Sequence, residues 1–100
     1  MTRDAPRSYL IAYDIADDGR RTRVAHALGS YGDRIQYSVF IVNARPAKIV
    51  RLGAQLLRLI DPSVDSILVC NLGLAAADPA AQLTFIGRAR PWTGTSALIL

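Results

Sequence analysis

Residues 9 to 15, Tyr9-Leu10-Ile11-Ala12-Tyr13-Asp14-Ile15, are β-branched, aromatic or aliphatic except for one charge. Such a run reads as a strand buried on both faces. On its pleat Leu10, Ala12 and Asp14 look one way, and Tyr9, Ile11, Tyr13 and Ile15 the other. The period then changes. From Arg20 to Tyr31 the apolar Val24, Leu28 and Tyr31 recur at helical spacing, with Arg20, Arg21, Arg23, His26 and Ser30 outside that stripe. Asp17 or Asp18 is suited to cap this helix, and Gly32 to end it as a C-terminal glycine.

Alternation returns between Arg34 and Asn43. Ile35, Tyr37, Val39 and Ile41 share one face, and Arg34, Gln36, Ser38, Phe40 and Val42 the other. Ten residues is long for one strand, so a bend or bulge near Gln36 to Ser38 is expected to divide it in two. Pro46 suits a helix's first turn, and Ala47 to Ile60 reads as the second helix. Its polar stripe is Lys48, Arg51, Gln55 and Arg58. Asp61-Pro62-Ser63 is a turn, Ser66 to Leu72 another continuous apolar strand, and Leu83-Thr84-Phe85-Ile86 a short last one. Residues 73 to 82 are an Ala-rich loop.

This order predicts an α+β fold: a ferredoxin-like βαββαβ sandwich with an extra C-terminal strand. One domain is expected over residues 1–87, followed by a tail over 88–100. Two helices cover one face of such a sheet, yet the first and fourth strands are apolar on both faces. A second copy of the sheet is the simplest cover for the bare face, so a homodimer is expected.

At 100 residues with 51% hydrophobic side chains, the chain has the size and composition of one globular domain. It contains no run apolar enough to span a membrane. Its first seven residues hold no apolar signal core, which places it in the cytoplasm by expectation. The single Cys70, in an apolar run, excludes an internal disulfide and is expected to be a small buried hydrophobe. Twelve basic residues against eight acidic ones give a net charge of +4; eleven of the twelve are Arg and none of the eight is Glu. Arg suits phosphate, but GC-rich coding would write the same composition, so composition alone leaves both explanations open.

The chain lacks a Ser-His-Asp set, a glycine-rich phosphate loop and a metal-ligand cluster; His26 stands alone. The residues left are Asp14 with Tyr13 beside it, and the arginines around the first helix. A lone carboxylate on an apolar strand needs a cation. One carboxylate is a poor Mg²⁺ site, but two copies of Asp14 across a two-fold axis, with waters and a substrate phosphate, can share an ion. The alternative is a structural ion pair of Asp14 with Arg21 or Arg23. The stripe of Lys48, Arg51 and Arg58, with Arg20, is the candidate phosphate-binding surface. A stripe of this kind is otherwise an ordinary solvated helix face.

Tyr13-Asp14-Ile15 closing the first strand resembles the family of small CRISPR-associated proteins that accompany the CRISPR integrase in spacer acquisition. So do Asp17-Asp18 followed by Arg20, Arg21 and Arg23, and the stretch Tyr31-Gly32-Asp33-Arg34-Ile35-Gln36-Tyr37-Ser38-Val39-Phe40. The likeness runs from about Tyr9 to Leu72. It implies a ferredoxin-like homodimer and, in some members, Mg²⁺-dependent cleavage of RNA or DNA. The metal ligand would then be Asp14, and the other activity-linked positions Tyr13, Arg21, Arg23, Arg34 and Phe40. The family's other role, also implied, is a non-catalytic bridge between integrase dimers that grips duplex DNA by its backbone.

Three functions follow as expectations: a metal-dependent endonuclease, a DNA-binding scaffold, and a small regulatory or RNA-binding module. The third is weakest, because the sequence shows no exposed aromatics in the arrangement that RNA-binding sheets use for stacking. The basic, aromatic tail from Arg88, with Trp92 and the apolar residues 97–100, is expected to dock on the other protomer or on the integrase.

Overall fold

Alternating and helical periods convert into six elements, in the order β1 (Arg7–Asp14), α1 (Asp18–Gly29), β2 (Asp33–Gln36), β3 (Val39–Ala44), α2 (Pro46–Leu57) and β4 (Ser66–Leu74). They come from a computed structural model that describes residues 4–75 and 82–89. The four strands form one antiparallel sheet in the order β2-β3-β1-β4. This is the ferredoxin-like arrangement, with β1 in the interior and the two helices on one face. Among the described residues no helix is long and apolar enough to cross a membrane.

Cross-strand register decides which side chains share a face. Tyr9 pairs with Val42 and Ile11 with Phe40, so these residues and Tyr13 form the floor under the helices. Val24 and Leu28 of α1 and Leu52 and Leu56 of α2 close over it, each at most 2% exposed. Truncating any of these leucines to Ala leaves a cavity worth about 2–5 kcal/mol. Asp17 caps α1, its carboxylate accepting the Arg20 backbone N–H at 2.9 Å. Pro46 stands in the first turn of α2, where its missing N–H costs nothing.

The extended region is divided at Tyr37-Ser38, a tight turn that reverses the chain into a hairpin. Gly32 serves a different purpose from the one expected. It has no positive φ, and α1 ends three residues earlier at Gly29, with Ser30 as its right-handed cap. A Cβ at Gly32 would lie 2.1 Å from the Ile41 carbonyl oxygen. The glycine is there because two backbones pass too closely for any side chain.

Two further expectations are corrected. Residues 83–86 are not in a strand; a strand needs a neighbour's backbone to pair with, and this segment instead lines a cleft with Leu10, Ile35 and Val39 on the face without helices. Cys70 is exposed, because β4 is an edge strand and Cys70, paired with Leu10, points to that same face. Leu68 is left 61% exposed nearby. The face is thus part covered and part open. Most of the tail, including Trp92 and residues 97–100, lies outside the described residues.

Candidate active site at the end of the central strand

β1 ends at Asp14, opposite Ser66, the first residue of β4. Asp14 is exposed, and among the described residues no hydrogen bond or ion pair engages its carboxylate. The apolar surroundings foreseen for it are therefore absent on the single chain, since the face it occupies is only partly covered. The expected alternative, a pair with Arg21 or Arg23, is not formed. Arg21 turns away and donates from Nη1 to the Ile15 and Ala16 carbonyls, both at 3.1 Å, and from Nη2 to the Asp18 carboxylate. That bond to Asp18 is the first cause holding the Arg21 guanidinium above its usual range. Arg23 is exposed and near the Asp17 carboxylate, whose pKa lies below its ordinary value chiefly through the Arg20 backbone N–H.

On the opposite side of β1 the hairpin brings Tyr13, Arg34 and Phe40 together. The Tyr13 and Phe40 rings stack with centroids 6.3 Å apart. Arg34 lies between aromatic rings, its guanidinium carbon 5.3 Å from the Tyr37 centroid and 5.6 Å from that of Phe40. Its Nε and Nη2 both donate to the Tyr37 carbonyl, at 2.9 and 2.5 Å, and Nη2 also reaches the Tyr13 hydroxyl at 3.4 Å. Tyr13 and Phe40 are 6% and 3% exposed. No substrate atom can reach them, so their contribution is to hold Arg34 and the turn in place. Of the residues expected to act together, Tyr13, Arg34 and Phe40 do meet, Arg21 joins them through the Tyr37 ring at 6.0 Å, and Asp14 points to the other face.

Arg20, expected on the phosphate-binding surface, is engaged elsewhere. Its Nε donates to Asp65 Oδ2 at 2.6 Å, and this bond is the main cause raising its pKa. Asp65, the buried acceptor, was not foreseen; nothing in the sequence connects an acid before β4 with the first turn of α1. Tyr37 was missed too, because reading residues 34–43 as one extended region put its ring on a strand face. The two-residue turn leaves it 62% exposed.

Lys48, Arg51 and Arg58 are all exposed. Lys48 and Arg51 line a cleft of about 330 Å³ with Arg45 and Asn43, and Lys48 Nζ sits 5.5 Å from the Tyr31 ring. The cleft opens the α2 helix, at the end of the sheet opposite Asp14, whereas Arg58 caps the other end of that helix.

Metal fit is limited on one chain. Among the described residues no group of three or more His, Cys, Asp or Glu side chains is placed to hold an ion. A single carboxylate falls short of the six oxygens that Mg²⁺ takes.

Comparison with known proteins gives a consistent result. The family described as CRISPR associated protein Cas2 matches residues 7–77. The CRISPR-associated endoribonuclease Cas2 3 of Chloroflexus aurantiacus is 49% identical over 70 residues, covering 68% of this chain and 73% of the relative. The crystal structure of the hypothetical protein TT1823 from Thermus thermophilus superposes with a TM-score of 0.73 at 31% identity, over 86% of this chain and 96% of that one. Streptococcus pyogenes Cas2, solved at pH 6.5, gives 0.67 at 28% identity, over 80% and 99%. With the family model matching residues 7–77 and a relative 49% identical over 70 residues, the chain belongs to the CRISPR-associated Cas2 family.

Proposed function

We propose that this chain is a metal-dependent endonuclease of CRISPR spacer acquisition, hydrolysing phosphodiester bonds of RNA or DNA as a homodimer beside the CRISPR integrase. Asp14 carries the reading: an exposed carboxylate at the end of the central strand, unpaired among the described residues although arginines flank it. A structural acid would have taken one of those arginines. The relative from Chloroflexus aurantiacus bears the name endoribonuclease, and one from Thermus thermophilus, 41% identical over 61 residues, bears the name endonuclease. Both support the class of reaction.

One Asp14 holds a cation poorly, so the reading includes a two-fold dimer in which the helix-free faces meet and the two Asp14 carboxylates together hold Mg²⁺. When bound there, the cation neutralises phosphodiester charge and activates water. Arg34 and Arg23 bind and orient the phosphate, while Tyr13 and Phe40 fix Arg34. Lys48 and Arg51 grip the backbone farther away, and Arg58 adds a contact at the other end of α2. The test is cleavage of labelled single-stranded RNA and duplex DNA with Mg²⁺, with EDTA, and with Mg²⁺ restored. Cutting that follows the metal supports the proposal.

The second reading is a scaffold that bridges integrase dimers through duplex DNA without cutting. The cleft of Arg45, Lys48 and Arg51 favours it, since it lies at the end of the sheet away from Asp14 and needs no chemistry. Tight duplex binding with no cleavage in any divalent cation decides for this reading.

A further inference from the structure

Tyr37 is the one exposed Phe, Tyr or Trp ring among the described residues, with 62% of its surface in solvent. An exposed tyrosine ordinarily samples several rotamers. This one starts from a fixed backbone, because its carbonyl takes both Arg34 donors and, at 3.3 Å, the Tyr13 hydroxyl. Guanidinium groups stand on it as well: Arg34 at 5.3 Å and Arg21 at 6.0 Å from the ring centroid. Arg34 in turn leans on Phe40 in the core. Cation and aromatic alternate from the interior outwards, and the last aromatic member is open.

Its surroundings narrow what that ring is for. It adds nothing to the core, which closes at Tyr13 and Phe40. The cleft beside it, about 570 Å³, is lined by Gln36, Ser38 and Arg88 as well as by Tyr37, Ile35, Val39 and Ala89. A ring with cations around it and polar groups beside it fits a flat, π-faced, anionic chain better than an apolar protein surface. Base–aromatic stacking with arginine at the adjoining phosphates is how single strands are held without sequence preference.

We infer that Tyr37 is a stacking platform for one unpaired nucleobase, with Arg21, Arg34 and Arg88 serving the phosphates on either side. The Ser38 carbonyl accepts the Tyr13 N–H at 3.1 Å, so the platform lies at the Asp14 end of β1. The inference deepens the proposed function by giving that site a preference for single strands and frayed ends over closed duplex, whose bases offer no free face.

The experiment measures binding in EDTA, where no cleavage is needed, so its failure is distinct from a failure of the nuclease reading. Fluorescence anisotropy compares single-stranded DNA and RNA with abasic strands of the same length and charge. Wild type should prefer the base-bearing strand about tenfold, within the range that stacking on one ring supplies. Tyr37→Ala should bind both strands equally, while Tyr37→Phe keeps the preference. The salt slope should not change in either variant, since no charge is removed. A wild type indifferent to the bases overturns the inference with no variant required. So does a preference that survives Tyr37→Ala, or one lost equally in Tyr37→Phe, which would assign the effect to the hydroxyl.

Discussion

Arg20 and Asp65, 45 residues apart, form a two-pronged ion pair, Nε to Oδ2 at 2.6 Å and Nη2 to Oδ1 at 3.3 Å. The Asp65 side chain is 1% exposed, and its Oδ2 also accepts the Asp61 N–H at 2.9 Å. The pair ties the first turn of α1 to the residue before β4, and so holds both flanks of Asp14, which is registered against Ser66. A carboxylate this inaccessible needs such a partner, and Arg offers the planar fork that satisfies both oxygens.

The pH dependence of folding should reveal this pair. The Arg20 guanidinium first, and then the Asp61 N–H, hold the Asp65 carboxyl below its ordinary value, with burial opposing them. A folded pKa below the unfolded one gives stability that is present above the unfolded value of about 4. It is lost as pH falls through the folded value. Melting temperature should therefore drop in acid below about pH 4. Asp65→Asn should melt several degrees lower at pH 7 and show a flatter acid limb. Some slope must remain, because Asp17 and Asp61 are depressed as well. Identical acid limbs in the two proteins would remove Asp65 from the account.

Gly32→Ala should destabilise the protein by about 1–3 kcal/mol, as overpacking does. The added Cβ meets backbone rather than a flexible side-chain end: the Ile41 oxygen at 2.1 Å and, beyond it, Val42 Cγ2 at 2.9 Å. Two elements must separate to admit it. Urea denaturation with an unchanged midpoint would show that they part freely.

These two positions mark what the residues alone could reveal. The element order was legible because strand and helix periods alternate cleanly from Tyr9 to Leu72, two residues short of the end of β4, with Asp17 and Pro46 as local start signals. Gly32 was legible as a glycine position but not for its reason, since a close approach to β3 is a tertiary fact. Asp65 and Arg20 were individually visible, yet no local rule pairs residues so far apart. Cys70 was misread because an apolar stretch says that something should cover it, not that the same chain does; residues 83–86 were misread because an apolar run does not reveal whether a neighbouring backbone is there to pair with. Asp14, Arg34 and Phe40 stood out through a motif, whereas Tyr37 depended on placing a turn to the residue.

Removing Arg51 and Arg58 together should weaken binding to all duplex sequences alike. Both are exposed on α2 or its C-cap, and neither is near an element that reads base edges. Each phosphate contact contributes close to one unit of salt slope on duplex DNA, so the double Ala variant should lose up to about 2 units. Titrations between low and physiological salt measure this. A wild-type affinity that stays flat across that range would sink the backbone-led reading.

Asp14→Asn separates cleavage from folding. The carboxylate is exposed and without a partner among the described residues, so removing its charge should change the stability of one chain by no more than about 0.5 kcal/mol. The proposed dimer adds a sharper expectation. Two Asp14 carboxylates brought together across a two-fold axis repel unless a cation lies between them. In EDTA the Asn variant should therefore dimerise as tightly as wild type or more tightly. Mg²⁺ should raise the melting temperature of wild type and leave the variant where it was, because a ligand stabilises only the folded state that binds it. Cleavage of single-stranded RNA and duplex DNA should disappear in the variant while duplex binding persists. Sedimentation equilibrium, melting with and without Mg²⁺, and the cleavage assay together give three independent readouts. Equal cutting by both proteins would take Asp14 out of the mechanism and point to a contaminating nuclease. A variant that loses its fold would mean that Asp14 has a structural partner in the assembled protein, and the metal reading would fall with it.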